Sequence, residues 1–267
     1  MNTIDYLIKK AKNDLQNYKE STRIDNLIVA KTLYTMKDSD KVFTDMNFCL
    51  LLLENAYGFS YFQGEVDYSL SRFVNKDSLE VLEQETPIYF RVAILDALFC
   101  LLNKDTLESP SFFCGSLREK AKQRATELLK HVPDKSKVLL LGAATEIIEE
   151  ATKKKCDIKI LDLEKQKIGL NLSSIEIEDG HQSDLESEIQ NTEYVIATAM
   201  IFVSEYIDRI LDLTRKHDKH LSLFMETGSN FGPQLISRGV DKVLSESFPF
   251  YDFHGDTKYY IYQKDKK

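Results

Sequence analysis

The hydrophobic pattern of the first half of the chain predicts a domain that mixes helices with strands. Helical spacing of apolar residues marks an amphipathic N-terminal helix through Ile4, Leu7, Ile8, Ala11 and Leu15. Strand-like and mixed runs follow, IDNLIVAKTLYT and then NFCLLLLENAYGFSYFQ. The segment TPIYFRVAILDALFCLLNK predicts a buried helix, with Pro87 in its first turn. A charged helix at about 116–131 completes a predicted N-terminal domain over residues 1–132.

The second half shows a different pattern, in which short apolar strands alternate with helices. The segment HVPDKSK separates the two patterns, because its proline and charges stop the preceding helix. Beyond it come the strands KVLLLG, CDIKILDLE, YVIAT, LSLFME and DKVLSES, with helical segments between them. Strand–helix–strand units form parallel sheets with right-handed crossovers. Residues 133–267 are therefore predicted to form a Rossmann-like α/β domain with a mostly parallel sheet.

Composition and charge exclude several classes of protein. Hydrophobic residues make up 43% of the chain and charged residues 29%, as in ordinary globular proteins. The net charge of −8 disfavours nucleic-acid binding, which needs a basic surface. The longest apolar run, at 48–53, is far shorter than the roughly 18 residues that span a membrane. The charged N-terminal helix does not resemble a signal peptide, so we expect a cytoplasmic protein without membrane partners.

The cysteines and histidines do not form a recognisable metal motif. The cysteines lack CxxC spacing and are widely separated, at Cys49, Cys100, Cys114 and Cys156. His217 and His220 could share a metal within one helix, but they lie away from the predicted ligand edge, and a solvated helix end explains them better. His254 follows the last predicted helix and strand and could reach a cleft. No catalytic Ser-His-Asp or Cys-His set follows from spacing alone.

Ligands of such a sheet bind beyond the carboxyl ends of the strands, which directs attention to the strand-to-helix junctions. Gly142 in LLLGAATE is a single glycine, which disfavours ordinary nicotinamide binding. Asp162, about twenty residues later, is either a ribose-binding carboxylate or a solvated one. Thr198 ends a strand, and Ser204 is predicted to cap the next helix. The apolar loop AMIFV between them predicts a cleft lining or a contact with the other domain.

The fourth junction is the polar turn ETGSNFGPQLISRGVD. Gly232, Pro233 and Gly239 suit the start and the stop of a short helix. The remaining hydroxyl, amide and N–H groups of the turn lie at a helix N-terminus, where they favour an anionic or polar ligand. The Glu226 side chain instead favours a cation or a ligand hydroxyl. The candidate ligand-binding residues of this turn are Glu226, Thr227, Gly228, Ser229 and Asn230.

The segment GPQLISRGVDKVLSE resembles the C-terminal signature of a Rossmann-like family of unknown function that is associated with heavy-metal chelation. The residues that fit its pattern are Pro233, Gly239, Val240 and Asp241, with Thr198 fitting a second mark of the family. The residues that depart from the pattern are Ala199, Ser204, Glu205, Glu226 and Thr227.

The segment RVAILDALFCLLN, at 91–103, is similar to a buried helix of that family's companion domain, an α+β module like the N-terminal domain of enolase. The resemblance implies an N-terminal α+β domain, a ligand cleft between two domains and a possible homodimer. It also implies a divalent transition metal as a candidate cofactor.

Three functional hypotheses remain open. The first is a protein that binds a metal or a small ligand in the cleft between its domains. The second is an enzyme of small-molecule metabolism that uses S-adenosylmethionine or another nucleotide-like cofactor at Gly142 and Asp162. The third is a non-catalytic scaffold, which the departures at Ala199 and Ser204 favour.

Overall fold

The structure is a computed structural model that describes residues 1–16, 18–35, 42–107, 109–248 and 255–264. His254 lies outside these ranges. The chain divides into two compact units, each assembled from separate segments. The first contains Met1–Pro110, Ala199–Asp208 and Met225–Gln234, and the second contains Ser111–Thr198, Arg209–Phe224 and Leu235–Lys267. The domain boundary predicted at 132/133 stays a prediction.

The helices and strands of the described residues are numbered in chain order. The helices are α1 (Thr3–Leu15), α2 (Ser78–Leu82), α3 (Ile88–Leu102), α4 (Lys104–Leu107), α5 (Leu117–Leu129), α6 (Thr145–Lys153), α7 (Leu185–Gln190), α8 (Met200–Val203), α9 (Ile207–Lys216) and α10 (Gly232–Arg238). The strands are β1 (Ile24–Thr35), β2 (Val42–Leu53), β3 (Ala56–Phe62), β4 (Ser111–Phe113), β5 (Lys137–Leu141), β6 (Asp157–Asp162), β7 (Asn171–Leu172), β8 (Ile175–Asp179), β9 (Tyr194–Thr198), β10 (His220–Met225), β11 (Lys242–Glu246) and β12 (Thr257–Gln263). Two 3-10 turns lie at Tyr68–Phe73 and Ser229–Phe231.

The first unit is built around the buried helix α3 and an antiparallel sheet in the order β1-β2-β3. At Gly58, in β3, a side chain would overlap the backbone of α3 at Ala93 and Ala97. Glycine is therefore required here, because the strand and the helix meet backbone to backbone. Helix α1 begins where the Asn2 side chain accepts a hydrogen bond from the Asp5 N–H, at 2.7 Å.

The second unit contains a nine-stranded sheet in the order β4-β12-β11-β10-β9-β5-β6-β8-β7. The central strands β10, β9, β5, β6 and β8 pair in parallel. Strands β4 and β12 at one edge, and β7 at the other, pair antiparallel with their neighbours. This arrangement confirms the predicted α/β fold with a mostly parallel sheet. Within the described part of the chain, no helix is long and apolar enough to cross a membrane.

Candidate functional site

The order of the central strands creates a reversal point in the second unit. From β5 the chain moves to one side through β6 and β8, and then continues on the other side through β9 and β10. The carboxyl ends of β5 and β9 therefore lie side by side, at the point where the strand order reverses. In open α/β sheets, this point is where ligands generally bind.

Gly142 and Thr198 stand at this point, directly after β5 and at the end of β9. Gly142 has a φ of 100°, a conformation that favours glycine. A Cβ at this position would also lie only 2.6 Å from the Thr198 Oγ1. The structure thus brings these two predicted residues together and explains why the first is glycine.

Asp162 ends β6, as predicted, and its carboxylate holds the loop that follows β5. One oxygen accepts a hydrogen bond from the Ala143 N–H at 2.9 Å, and the other accepts one from the Glu164 N–H at 2.9 Å. The residue is only 8% exposed. A ribose-binding role for Asp162 stays a prediction, but both of its oxygens already have partners within the chain.

A buried charge cluster continues from Asp162, and sequence reasoning missed it. The Lys167 Nζ lies 2.8 Å from a Glu164 carboxylate oxygen and 3.4 Å from an Asp162 oxygen. The Lys167 and Glu164 side chains are only 11% and 7% exposed. The sequence signal was the run DLEKQK, in which acidic and basic residues are three and five positions apart.

Helix α6 begins directly after the loop that Asp162 holds, and its first turn has no side-chain cap. Its N-cap residue, Ala144, has an extended backbone but no side-chain acceptor for the N–H groups of the first turn. Residues 142–145 are partly exposed. The positive end of the helix dipole and the N–H groups of the first turn are therefore available to an anionic or polar group.

The polar turn at Glu226–Asn230 belongs to the first unit, where it pairs with β3. The Gly228 N–H donates to the Phe59 carbonyl at 3.0 Å, and the Thr227 hydroxyl oxygen accepts from the Tyr61 N–H at 2.9 Å. Gly228 has a φ of 66°, and a Cβ there would overlap the Phe231 ring. The turn therefore uses its polar groups to continue the hydrogen bonding of β3.

Asp96 anchors the same turn from inside α3, and sequence reasoning missed it too. Its two carboxylate oxygens accept hydrogen bonds from the Phe59 N–H at 2.8 Å and the Asn230 N–H at 2.7 Å. Asp96 is fully buried, and this burial raises its pKa to about 8. A single acid in an otherwise apolar helix was the available signal, because a buried carboxylate needs partners.

Further contacts fix the turn in place. The Asn103 amide donates to the Asn230 carbonyl at 2.6 Å and exchanges hydrogen bonds with the Gln234 amide. The Phe231 ring packs edge-on against Phe99 and Phe202. Thr227, Ser229 and Asn230 are each no more than 2% exposed, whereas Glu226 is partly exposed. Ligand binding by this turn stays a prediction. The Thr227 and Asn230 side chains have partners within the first unit, whereas the buried Ser229 hydroxyl has none among the described residues.

The segment after Thr198 differs from its predicted form. The apolar stretch AMIFV was predicted as a loop, but Met200–Val203 folds as α8 with Ile201 and Phe202 buried. Ser204 was predicted to cap the following helix, but it closes α8 instead, because its hydroxyl donates to the Met200 carbonyl at 3.0 Å. That cap prediction was wrong. A ligand-binding role for Ser204 stays a prediction.

His217 and His220 occupy different surroundings. His217 follows α9 and its Nε2 lies 3.1 Å from a Glu186 carboxylate oxygen, whereas the His220 ring stacks on Tyr194 at the start of β10. Within the described ranges, no group of three histidine, cysteine, aspartate or glutamate residues is arranged to hold a metal ion.

Comparison with known proteins supports the fold. No protein-family model matches the sequence, and no curated protein matches it. The structure is similar to a DUF364-family protein of unknown function from Desulfitobacterium hafniense DCB-2, with 12% identity and a TM-score of 0.60 over 97% of this chain and 100% of that one. It is also similar to a DUF364-family protein of unknown function from Pyrococcus horikoshii, with 14% identity and a TM-score of 0.58 over 98% and 99%. At these identities the similarity shows the fold alone.

Proposed function

We propose that this protein binds a small anionic or polar molecule at the carboxyl edge of the parallel sheet in its second unit, where β5 and β9 end. The observation that carries the proposal is the strand order, which reverses between these two strands. Gly142 and Thr198 flank this point. They are the residues that we expect to lie nearest the ligand.

The chemistry around Gly142 favours an anionic group on the ligand. The first turn of α6 presents N–H groups without a side-chain cap, and a helix N-terminus attracts negative charge. Asp162 holds the Ala143 backbone from behind through a hydrogen bond of 2.9 Å. In this arrangement Asp162 positions the loop, and the loop's backbone contacts the ligand.

A metal held by protein side chains fits the described residues poorly. Asp162, which holds the Ala143 backbone, and Glu164 form an acidic pair beside the loop, and the Lys167 ammonium lies against both. No set of three metal-ligating side chains is found in the described part of the chain. For the metal-related role that the resemblance implies, we therefore propose that the metal arrives bound to a small molecule.

A second candidate is an enzyme that uses S-adenosylmethionine or a similar cofactor at the same edge. The position of Asp162 at the end of β6 favours it, because an acidic residue there commonly binds a ribose hydroxyl. In this case a ribose hydroxyl would share Asp162 with the Ala143 and Glu164 N–H groups. Both candidates occupy one site and differ only in the ligand.

Native mass spectrometry of the full chain tests the proposal. We expect a co-purified small molecule, or a rise in melting temperature with one member of a panel of S-adenosylmethionine, dinucleotides, inorganic phosphate and phosphorylated metabolites. Elemental analysis then shows whether a metal accompanies the molecule. A protein that retains no molecule, and is unchanged in melting temperature by the whole panel and by Zn²⁺, Ni²⁺, Cu²⁺ and Fe²⁺, would contradict ligand binding and favour the scaffold hypothesis.

A further inference from the structure

The outer edge of β1 in the first unit is open over its middle section. Strand order places β1 at the edge of the three-stranded sheet. At its start, Ile24 is paired on the outer side, because its N–H donates to the Lys76 carbonyl and its carbonyl accepts from the Asn75 N–H. From Asp25 to Lys31, no backbone hydrogen bond joins this outer edge to another described segment. An open edge strand is a template for pairing with a further strand.

Local hydrogen bonding shows which groups of β1 face outward. The Leu27 N–H is held by the side chain of its own neighbour, Asn26, at 2.8 Å. A register shift between Ile24 and Asn26 adds one residue to β1 relative to β2. Since outward-facing residues alternate along a strand, Leu27, Val29 and Lys31 present their backbone groups to the open edge.

We propose that this edge binds a second copy of the chain, so that two β1 strands pair antiparallel about a two-fold axis at Ile28. This register places Asp25 opposite the partner subunit's Lys31, and Leu27 opposite the partner subunit's Val29. In the single chain the Asn26 side chain accepts a hydrogen bond from the Leu27 N–H, and in the dimer the second strand would take its place. This dimer does not depend on the ligand proposed above.

Charge complementarity selects this register over its neighbours. Asp25 and Lys31 are both exposed. Opposite charges directly across an antiparallel pair are favourable, and like charges are unfavourable. A shift by two residues in one direction would place Arg23 opposite the partner subunit's Lys31. A shift in the other direction would place Leu27 opposite that lysine.

The exposed Ile28 side chain and the register shift after Lys31 are both compatible with this pairing. Ile28 is 42% exposed, and the two-fold axis brings it against its own copy. A second register shift, between Thr32 and Tyr34, bends β1 just beyond the paired section. The bend falls where the strand would otherwise meet the segment Asn75–Asp77 of the other copy.

Charge exchange tests the interface through the dimer dissociation constant, measured by sedimentation equilibrium on the full chain. Asp25→Lys and Lys31→Asp should each weaken the dimer about tenfold or more, because each creates two like-charged pairs across the axis. The double variant Asp25→Lys/Lys31→Asp should restore the wild-type constant. Lys122→Glu, an exposed change in α5, is the matched control and should leave the constant unchanged. A wild-type chain that stays monomeric, or a dimer insensitive to both single reversals, would overturn the proposal.

Disulfide trapping tests the register itself. In a Cys114→Ser background, which removes the exposed native thiol, Ile28→Cys should form a covalent dimer on mild oxidation. Opposed residues of this kind lie about 4.5 Å apart between their Cα atoms, within disulfide range. Ala30→Cys should not cross-link, because residue 30 lies opposite residue 26 of the second chain. The two cysteines are then offset by four residues, or about 13 Å along the strands. Equal cross-linking of both variants, or cross-linking of Ala30→Cys alone, would contradict the register.

Discussion

Asp96 is a fully buried acidic residue that links separate segments of the first unit. It joins β3 to the turn at Asn230 through two backbone N–H groups, and Asp96 and Asn230 are 134 positions apart along the chain. Both hydrogen bonds favour the ionised carboxylate, but complete burial opposes ionisation more strongly and raises the pKa to about 8. The protonated carboxyl group is therefore favoured up to a higher pH in the folded protein than in the unfolded chain.

The raised pKa of Asp96 predicts that the free energy of unfolding falls as pH rises. An unfolded aspartate releases its proton near pH 4, but the folded protein keeps it until about pH 8. Between these values the folded state holds the additional proton, so raising the pH favours unfolding. Urea unfolding at pH steps from 4.5 to 8 measures the slope.

Variants isolate the contribution of Asp96 to this slope. Asp96→Asn should remove it, and should cost about 1–3 kcal/mol because the amide nitrogen leaves one buried N–H unpaired. Asp105→Asn, at an exposed aspartate of α4, should keep the wild-type slope. An unchanged slope in Asp96→Asn would show that other groups cause the pH dependence.

Asn230 gives a second prediction at the residue scale. It is 1% exposed, and its side chain donates to the Tyr57 carbonyl at 3.3 Å. Removing the amide leaves a cavity and removes one of the hydrogen bonds that the Tyr57 carbonyl accepts, so Asn230→Ala should lower the free energy of unfolding by about 1–3 kcal/mol. Asn13→Ala, at an exposed position of α1, should change it by less than about 0.5 kcal/mol. Equal losses of unfolding free energy in the two variants would show that the Asn230 side chain does not stabilise the turn.

At the scale of elements, the contact between β3 and α3 tolerates no side chain at Gly58. A methyl group there would overlap the Ala93 carbonyl and the Ala97 N–H, and both are backbone groups that cannot rotate away. Gly58→Ala should therefore lower the free energy of unfolding by about 3 kcal/mol or more. Gly180→Ala is a useful comparison, because its nearest contact is the flexible end of Leu163, at 3.0 Å. A Gly58→Ala protein as stable as Gly180→Ala would show that the two elements are further apart than described.

The start of α6 gives the opposite expectation, an increase in stability. Ala144 has the extended N-cap backbone, with φ −107° and ψ 111°, but lacks an acceptor side chain. Ala144→Asp and Ala144→Asn should each raise the free energy of unfolding by about 0.5–2 kcal/mol by capping the first turn. Thermal or urea unfolding measures the gain. No gain in either variant would show that the N-terminus of α6 already has a partner.

Elements governed by local pattern could be predicted from the sequence. The 3.6-residue spacing identified α1, in which Ile4, Leu7, Ala11 and Leu15 are buried. The strand–helix alternation predicted the parallel sheet and the positions of Gly142, Asp162 and Thr198 at its carboxyl edge. Each depends on residues close together along the chain.

Elements governed by distant contacts could not be predicted. The segment Met200–Val203 is apolar because Ile201 and Phe202 are buried in the first unit, which the local sequence does not reveal. The turn at Thr227–Asn230 resembled a ligand loop because its polar groups have no local partners. The Thr227 hydroxyl and the Asn230 N–H find their partners in β3 and α3, more than one hundred residues earlier.

At the scale of the whole molecule, each compact unit is completed by segments from distant parts of the chain. The first unit takes Ala199–Asp208, which follows directly after β9, and Met225–Gln234, which begins at the last residue of β10. The junctions after β9 and β10, both candidate ligand-binding sites in the sequence, thus pack within the first unit. The junction after β5 stays within the second unit, and there we place the ligand.

Ligand affinity at the α6 N-terminus tests the proposed site most sharply. The ligand found by native mass spectrometry is titrated against wild type, Ala144→Asn and Ala144→Asp. We predict that Ala144→Asp, although more stable than the wild type, binds the ligand at least about tenfold more weakly than Ala144→Asn, because the aspartate charge repels an anionic group. Equal affinities of the two variants and the wild type, with the helix demonstrably capped, would contradict a ligand site at the carboxyl end of β5.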